Sequence, residues 1–189
     1  MIASLPFTAL LLILILLIAT SIDLFTHKIP NWLSFGLLGL GLVLQACFYG
    51  FSGFGISLAG AVIGLVLLLP FYIIKSLGAG DVKLMAGVGS FLGYELITFA
   101  VAATIISGGL LGLAVLIAKG GMTPFLTRYS LMLKTLFYTG KLAPIPPAIT
   151  EVAASRFPYA SAITGGTLYV LWKNHLLFQA FNLATLTLF

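Results

Sequence analysis

Runs of apolar residues follow one another along this chain, with breaks too short to hold a soluble domain between them. A helix needs about 20 apolar residues to cross the hydrocarbon of a bilayer. Hydropathy on that scale places spans at roughly 3–25, 31–50, 56–75, 82–94, 96–118 and 157–173, the fourth of them short. In lipid, every backbone polar group must find its partner inside the protein, which suits such runs to helices. Only 7% of the residues are charged, against about 25% in a soluble domain. The expected fold is all-α, a polytopic membrane helix bundle of about six transmembrane helices. Residues 1–189 are expected to form a single integral membrane domain.

The few charges orient this bundle. No Lys or Arg precedes the apolar run from Leu5 to Ala19, so the cationic start of a signal peptide is missing. With the N-terminus outside, Lys28, Lys75, Lys83, Lys119, Arg128, Lys134, Lys141 and Arg156 fall on the cytoplasmic side, and only Lys173 falls outside. That is a strong positive-inside bias. The net charge of +5 therefore reads as topology, with the lipid bilayer as the partner and no nucleic acid.

Segment 119–156 is the one sizeable polar stretch. Within it Phe125, Leu126, Tyr129, Met132, Leu133, Leu136 and Phe137 recur at helical spacing, with Arg128 and Lys134 off the stripe. The segment from Thr123 to Tyr138 reads equally as a basic amphipathic helix on the inner leaflet and as a helix covering the bundle. Ala143-Pro144-Ile145-Pro146-Pro147 follows as an extended linker, and Leu176 to Phe189 is apolar again. Gly60/Gly64 and Gly108/Gly112 stand at the small-xxx-small spacing that lets helices approach closely.

Against this background the acidic residues stand out. There are four: Asp23, Asp81, Glu95 and Glu151. A carboxylate in or beside a membrane segment costs about 2.5–3.5 kcal/mol on insertion scales and marks a functional site by default. Asp23 closes the first span and Asp81 opens the fourth, so the charge-derived topology brings both to the cytoplasmic face. His27 lies one turn beyond Asp23, and Lys28 can snorkel back to pair with it. Asp81 follows Gly78-Ala79-Gly80 and heads an apolar stretch, so it reads equally as a helix N-cap and as a catalytic carboxylate. Pro30 breaks the first helix, Asn31 is placed to cap the second, and Trp32 falls at the interface. One cysteine, Cys47, and two histidines provide no metal-ligand cluster, so no metal or other cofactor is expected.

Asp23 followed by Lys28-Ile29-Pro30-Asn31, then Gly78-Ala79-Gly80-Asp81-Val82-Lys83-Leu84, resembles the prepilin peptidase (type IV leader peptidase) family of GxGD membrane aspartyl proteases. Phe157-Pro158-Tyr159-Ala160 with Ala162-Ile163 is similar to the start of the last span in the short, tight-adherence (Flp) pilus branch. Larger members carry an N-terminal cytoplasmic portion with paired CxxC motifs, and many N-methylate the new N-terminus. This chain has no such cysteines, so the resemblance implies a peptidase without zinc and does not extend to the methyltransferase. It implies Asp23 and Asp81 as the catalytic pair, with Gly78, Gly80 and Lys83 as substrate-binding residues. It also implies a prepilin substrate with a short basic leader cut after a glycine, a multi-pass inner-membrane location with the site facing the cytoplasm, and a pilus assembly machinery as a further partner. Two readings from other classes share the composition. One is a proton-coupled transporter or channel relaying protons through the two aspartates, which fits poorly with both acids at one face. The other is a non-catalytic membrane scaffold of a secretion system with Asp81 as a cap.

Overall fold

A computed structural model describes residues 6–74, 76–139 and 158–174. Among these the regular structure is helical: α1 Pro6–Thr26, α2 Asn31–Ile73, α3 Ala79–Ala118, α4 Met122–Thr139 and α5 Ala160–Lys173. By length and composition α1, α2 and α3 are long and apolar enough to cross a membrane. The Pro144–Pro147 linker, Lys75, Arg156 and the apolar tail 176–189 lie outside the described residues.

α2 has 43 residues and would run about 65 Å if straight, roughly twice the hydrocarbon thickness. It is not straight. Gly50 adopts φ 65° and ψ −150°, and Gly93 in α3 adopts φ 73° and ψ 176°. Both are left-handed φ values that glycine takes without the Cβ penalty. The contacts show what the breaks do. Leu37 packs on Gly87 and Gly41 on Ser90, so the first arm of α2 (31–49) runs parallel to the first arm of α3 (79–92). Gly60 packs on Gly89 and Gly64 on Met85, so the second arm of α2 (51–73) runs antiparallel to it. The chain therefore reverses at Gly50. It reverses again at Gly93, because Gly60 also meets Gly93 and Gly64 also meets Ile97.

A break inside an apolar bundle frees carbonyls that lipid cannot satisfy. Here side chains take over: Gln45 Nε2 donates to the Phe91 carbonyl at 3.2 Å, and the Ser57 hydroxyl donates to the Ser90 carbonyl at 2.6 Å. Both residues are buried. Neither had been singled out from the sequence, although a Gln within an apolar run is a visible signal.

The chain forms two compact units, one comprising Met1–Gly108 with Pro158–Phe189, the other Gly109–Phe157. In the first, α1 buries Ala9, Leu12, Leu16, Ala19 and Asp23, a stripe with alternating three- and four-residue spacing. Its outward face presents large apolar residues such as Phe7, Leu14 and Leu17, as a lipid-facing surface does. Cys47 is likewise exposed. α5 packs antiparallel to α1 through the Thr20–Thr164 hydroxyl pair at 2.7 Å. It also packs antiparallel to the second arm of α3, where Ser107 donates to the Ala162 carbonyl at 2.9 Å and Gly166 packs on Thr104. In the second unit α3 ends in a Schellman turn, Gly121 N–H bonding the Leu116 carbonyl and Gly120 N–H that of Ile117, before α4 begins. α4 realises the helix expected over Thr123–Tyr138.

Candidate active site

Asp23 sits in the last turn of α1, on the buried stripe, and is only 4% exposed. Its Oδ2 accepts the Ala160 backbone N–H at 3.1 Å, from the first residue of α5. The alternative Asp23–Lys28 pair does not form; Lys28 is exposed and no ion pair links the two. The reason is that α1 ends at Thr26 and His27 turns out of the helix with φ 50°. His27 therefore leaves the face that carries Asp23.

Asp81 is 9% exposed. The N-cap expectation for it needs correction. α3 starts three residues earlier than the sequence suggested, at Ala79, which places Asp81 in the first turn. From there its Oδ2 reaches back to accept the Gly78 N–H at 2.9 Å, the acidic half of a capping box. Its other oxygen has no protein hydrogen bond among the described residues. Asp81 also shares the buried face of Met85, Val88 and Leu92.

The two acids occupy the same end of the bundle. α1 and the first arm of α3 run antiparallel, with Thr8, Ala9 and Leu12 beside Phe91 and Leu92 at the far end. At the near end Asp23 and Asp81 interact electrostatically. A third group joins them that sequence reasoning had used only as a mark of likeness. Tyr159, in the turn before α5, feels the Asp81 charge, and the amide that follows it holds Asp23.

The loops bearing the two acids are bound to each other. Gly80 packs against Ile29, where an added Cβ would meet the Ile29 Cβ at 3.1 Å. Lys83 Nζ donates to Asn31 Oδ1 at 2.9 Å and lies 5.2 Å from the centre of the Phe35 ring. Asn31 thus makes a contact other than the expected one. The N-cap position of α2 is Pro30, with no side-chain cap bond, and Asn31 opens the helix with its amide turned to Lys83. Gly78 remains exposed. Replacing Asn31 or Lys83 by Ala is expected to lower stability by about 1 kcal/mol each, the usual worth of one hydrogen bond. The double replacement should cost no more than either alone, because the two share one interaction. Thermal unfolding of the three variants in detergent checks this; fully additive losses would show that the side chains act separately.

One end of the bundle thus carries two buried carboxyls, each accepting a backbone N–H, the Asp23 bond from Ala160 and the Asp81 bond from Gly78. Among the described residues no three His, Cys, Asp or Glu side chains gather as metal ligands. The profile of the type IV leader peptidase family matches residues 10–113, a segment that contains both aspartates. The chain is 35% identical over 111 residues to a prepilin leader peptidase/N-methyltransferase of Pectobacterium carotovorum subsp. carotovorum, covering 53% of this chain and 38% of that protein. It is 33% identical over 118 residues to the protein of the same name from Legionella pneumophila, covering 59% and 41%. It is 29% identical over 118 residues to that of Aeromonas hydrophila, covering 59% and 40%. The matches thus span about two fifths of the length of these relatives. No solved structure matches the chain. The matched segment covers more than half of the chain and runs through both acid-bearing motifs, and on that ground this protein belongs to the type IV leader peptidase family.

Proposed function

We propose that this protein is a prepilin leader peptidase, an aspartyl endopeptidase that removes a short basic leader after a glycine at the cytoplasmic face of the inner membrane. The observation that carries the reading is the pair Asp23 and Asp81, buried at one end of the bundle and electrostatically in touch. Two carboxyls so placed cannot both ionise readily and titrate as a pair. The ionised member takes a proton from water, the water attacks the scissile carbonyl, and the protonated member donates to the carbonyl oxygen. When the leaving amine takes up its proton the peptide bond breaks and the pair is restored. No cofactor enters this sequence.

In this reading six segments cross the membrane: α1, the two arms of α2, the two arms of α3, and α5. Lys28 and Lys83 then mark the cytoplasmic end beside exposed Trp32, while Tyr169, Trp172 and Lys173 mark the other. Such aromatic residues suit the two interfaces. At the acid end exposed Gly78 leaves room for an extended substrate strand, with Lys83 at its border, while Gly80 is taken up by the contact with Ile29. The likeness of Phe157 to Ile163 to the last-span start of the tight-adherence (Flp) branch supports pilins of that branch as the substrate we infer, with their assembly machinery as a further partner. Incubating the purified protein with a prepilin in lipid vesicles should release the leader, with the mass of the new N-terminus giving the cut. A prepilin left intact by well-folded protein would overturn the reading.

α4, by its apolar stripe, is suited to the inner leaflet. Charge reversal at Arg128 and Lys134 is expected to weaken processing in anionic membranes while thermal stability stays the same. Unchanged cleavage would make the helix a cover only.

A further inference from the structure

Gly108 was marked in the sequence as half of a small-xxx-small pair, yet its partner Gly112 has nothing within 4 Å. Gly108 is the one in use. A Cβ there would stand 2.6 Å from Tyr159 Cε2, 3.1 Å from Cζ and 3.1 Å from the hydroxyl oxygen. The missing side chain is thus the seat of the Tyr159 ring. The ring in turn fixes a turn with a defined task. The Tyr159 carbonyl accepts from Ala162 N–H at 3.0 Å and Ile163 N–H at 3.1 Å, which ties the Tyr159–Ala160 peptide to α5. The N–H of that same peptide is the donor to Asp23 Oδ2. Ring seat, peptide plane and carboxylate form an unbroken line of contacts. Further along, α5 has contacts of its own through Ser107–Ala162, Thr104–Gly166 and Thr20–Thr164.

From these contacts we propose that the seat of Tyr159 on Gly108 is the device that orients Asp23, which makes Tyr159 a positioning residue of the site. The proposal rests on the peptidase reading above. A carboxylate displaced by even about 1 Å can lose about 10²-fold in rate while substrate binding is kept, since binding is set elsewhere.

The full chain carrying Gly108→Ala, Tyr159→Leu, Tyr159→Phe, the Gly108→Ala/Tyr159→Leu pair, or Gly112→Ala as a control is compared with the wild type for kcat and KM on a prepilin and for thermal unfolding. The infrared carboxyl band of Asp23, identified as the band lost in Asp23→Asn, is followed in each. Gly108→Ala and Tyr159→Leu are each expected to lower kcat by about 10²-fold, with KM near the wild-type value. The double variant should be no worse than the single ones, because both act on one contact. Tyr159→Phe keeps the ring and should rescue most of the loss seen in Tyr159→Leu. The Asp23 band should shift in Gly108→Ala and Tyr159→Leu and stay close to its wild-type position in Tyr159→Phe. A wild-type kcat and an unmoved band in Gly108→Ala would overturn the proposal, as would Tyr159→Phe losing as much as Tyr159→Leu. If Gly108→Ala does not fold, the Tyr159→Leu and Tyr159→Phe comparison decides, since neither crowds Gly108. If the wild type cleaves nothing, the peptidase reading falls and the band shifts alone decide whether the seat orients Asp23.

Discussion

Asp81→Asn is expected to leave the bundle folded and to lower leader cleavage by about 10²–10⁴-fold, the usual worth of an acid–base group. The asparagine carbonyl can still accept the Gly78 N–H that Asp81 Oδ2 accepts now, so the helix start keeps its bond at a cost near 1 kcal/mol. An amide cannot exchange the proton that water must give up and the carbonyl must gain. Asp23→Asn should behave alike, its amide oxygen still accepting from Ala160 N–H. The measurement is prepilin processing against folded protein recovered from membranes, for each variant. Near-normal processing by Asp81→Asn would reduce the residue to a helix-end acceptor and remove the dyad. Loss of both processing and protein would instead point to a structural role.

The second large effect concerns architecture. Gly60→Val is expected to prevent assembly of the bundle. A Cβ at Gly60 would fall on the Gly89 carbonyl oxygen and would lie 2.7 Å and 2.8 Å from the Gly93 C and Cα atoms. All of these are backbone atoms, which no rotamer change can move aside. Overpacking a fitted contact costs about 1–3 kcal/mol and occasionally more, and a backbone-to-backbone crossing belongs at the upper end. Gly55 provides the control in the same arm of α2, since nothing lies within 4 Å of its added Cβ. Gly55→Ala should be neutral or slightly stabilising, because alanine favours helix over glycine. Thermal unfolding and membrane abundance separate the two, and equal stability of Gly60→Val and Gly55→Ala would contradict the close crossing.

The apolar runs made an all-helical membrane protein legible, and the reversals at Gly50 and Gly93 fall near the expected span boundaries. What hydropathy could not show is that the helices continue up to single-residue breaks there, because a glycine between apolar neighbours looks like any other packing glycine. Asp23 and Asp81 were visible because charge is scarce in an apolar chain. Their surroundings were less so. Asn31 reads locally as a cap, and only the partner Lys83, distant in sequence, draws it elsewhere. Tyr159 is aromatic at a span boundary, a common pattern at interfaces, and nothing near it in sequence reveals that Asp23 borrows the next amide. Contacts made between helices leave no periodicity of their own.

The contact between Gly108 and Tyr159 has a topological meaning as well. The chain departs from the first compact unit after Gly108 and re-enters it at Pro158, so exit and return lie side by side. The first unit thus holds together, by its own contacts, the two points between which the chain runs on through the end of α3. The entropy of closing such a loop grows only logarithmically, by about 0.6 kcal/mol for each doubling of length. The length of chain beyond the end of α3 at Ala118 is therefore a small term in the stability of the helices that carry the acids.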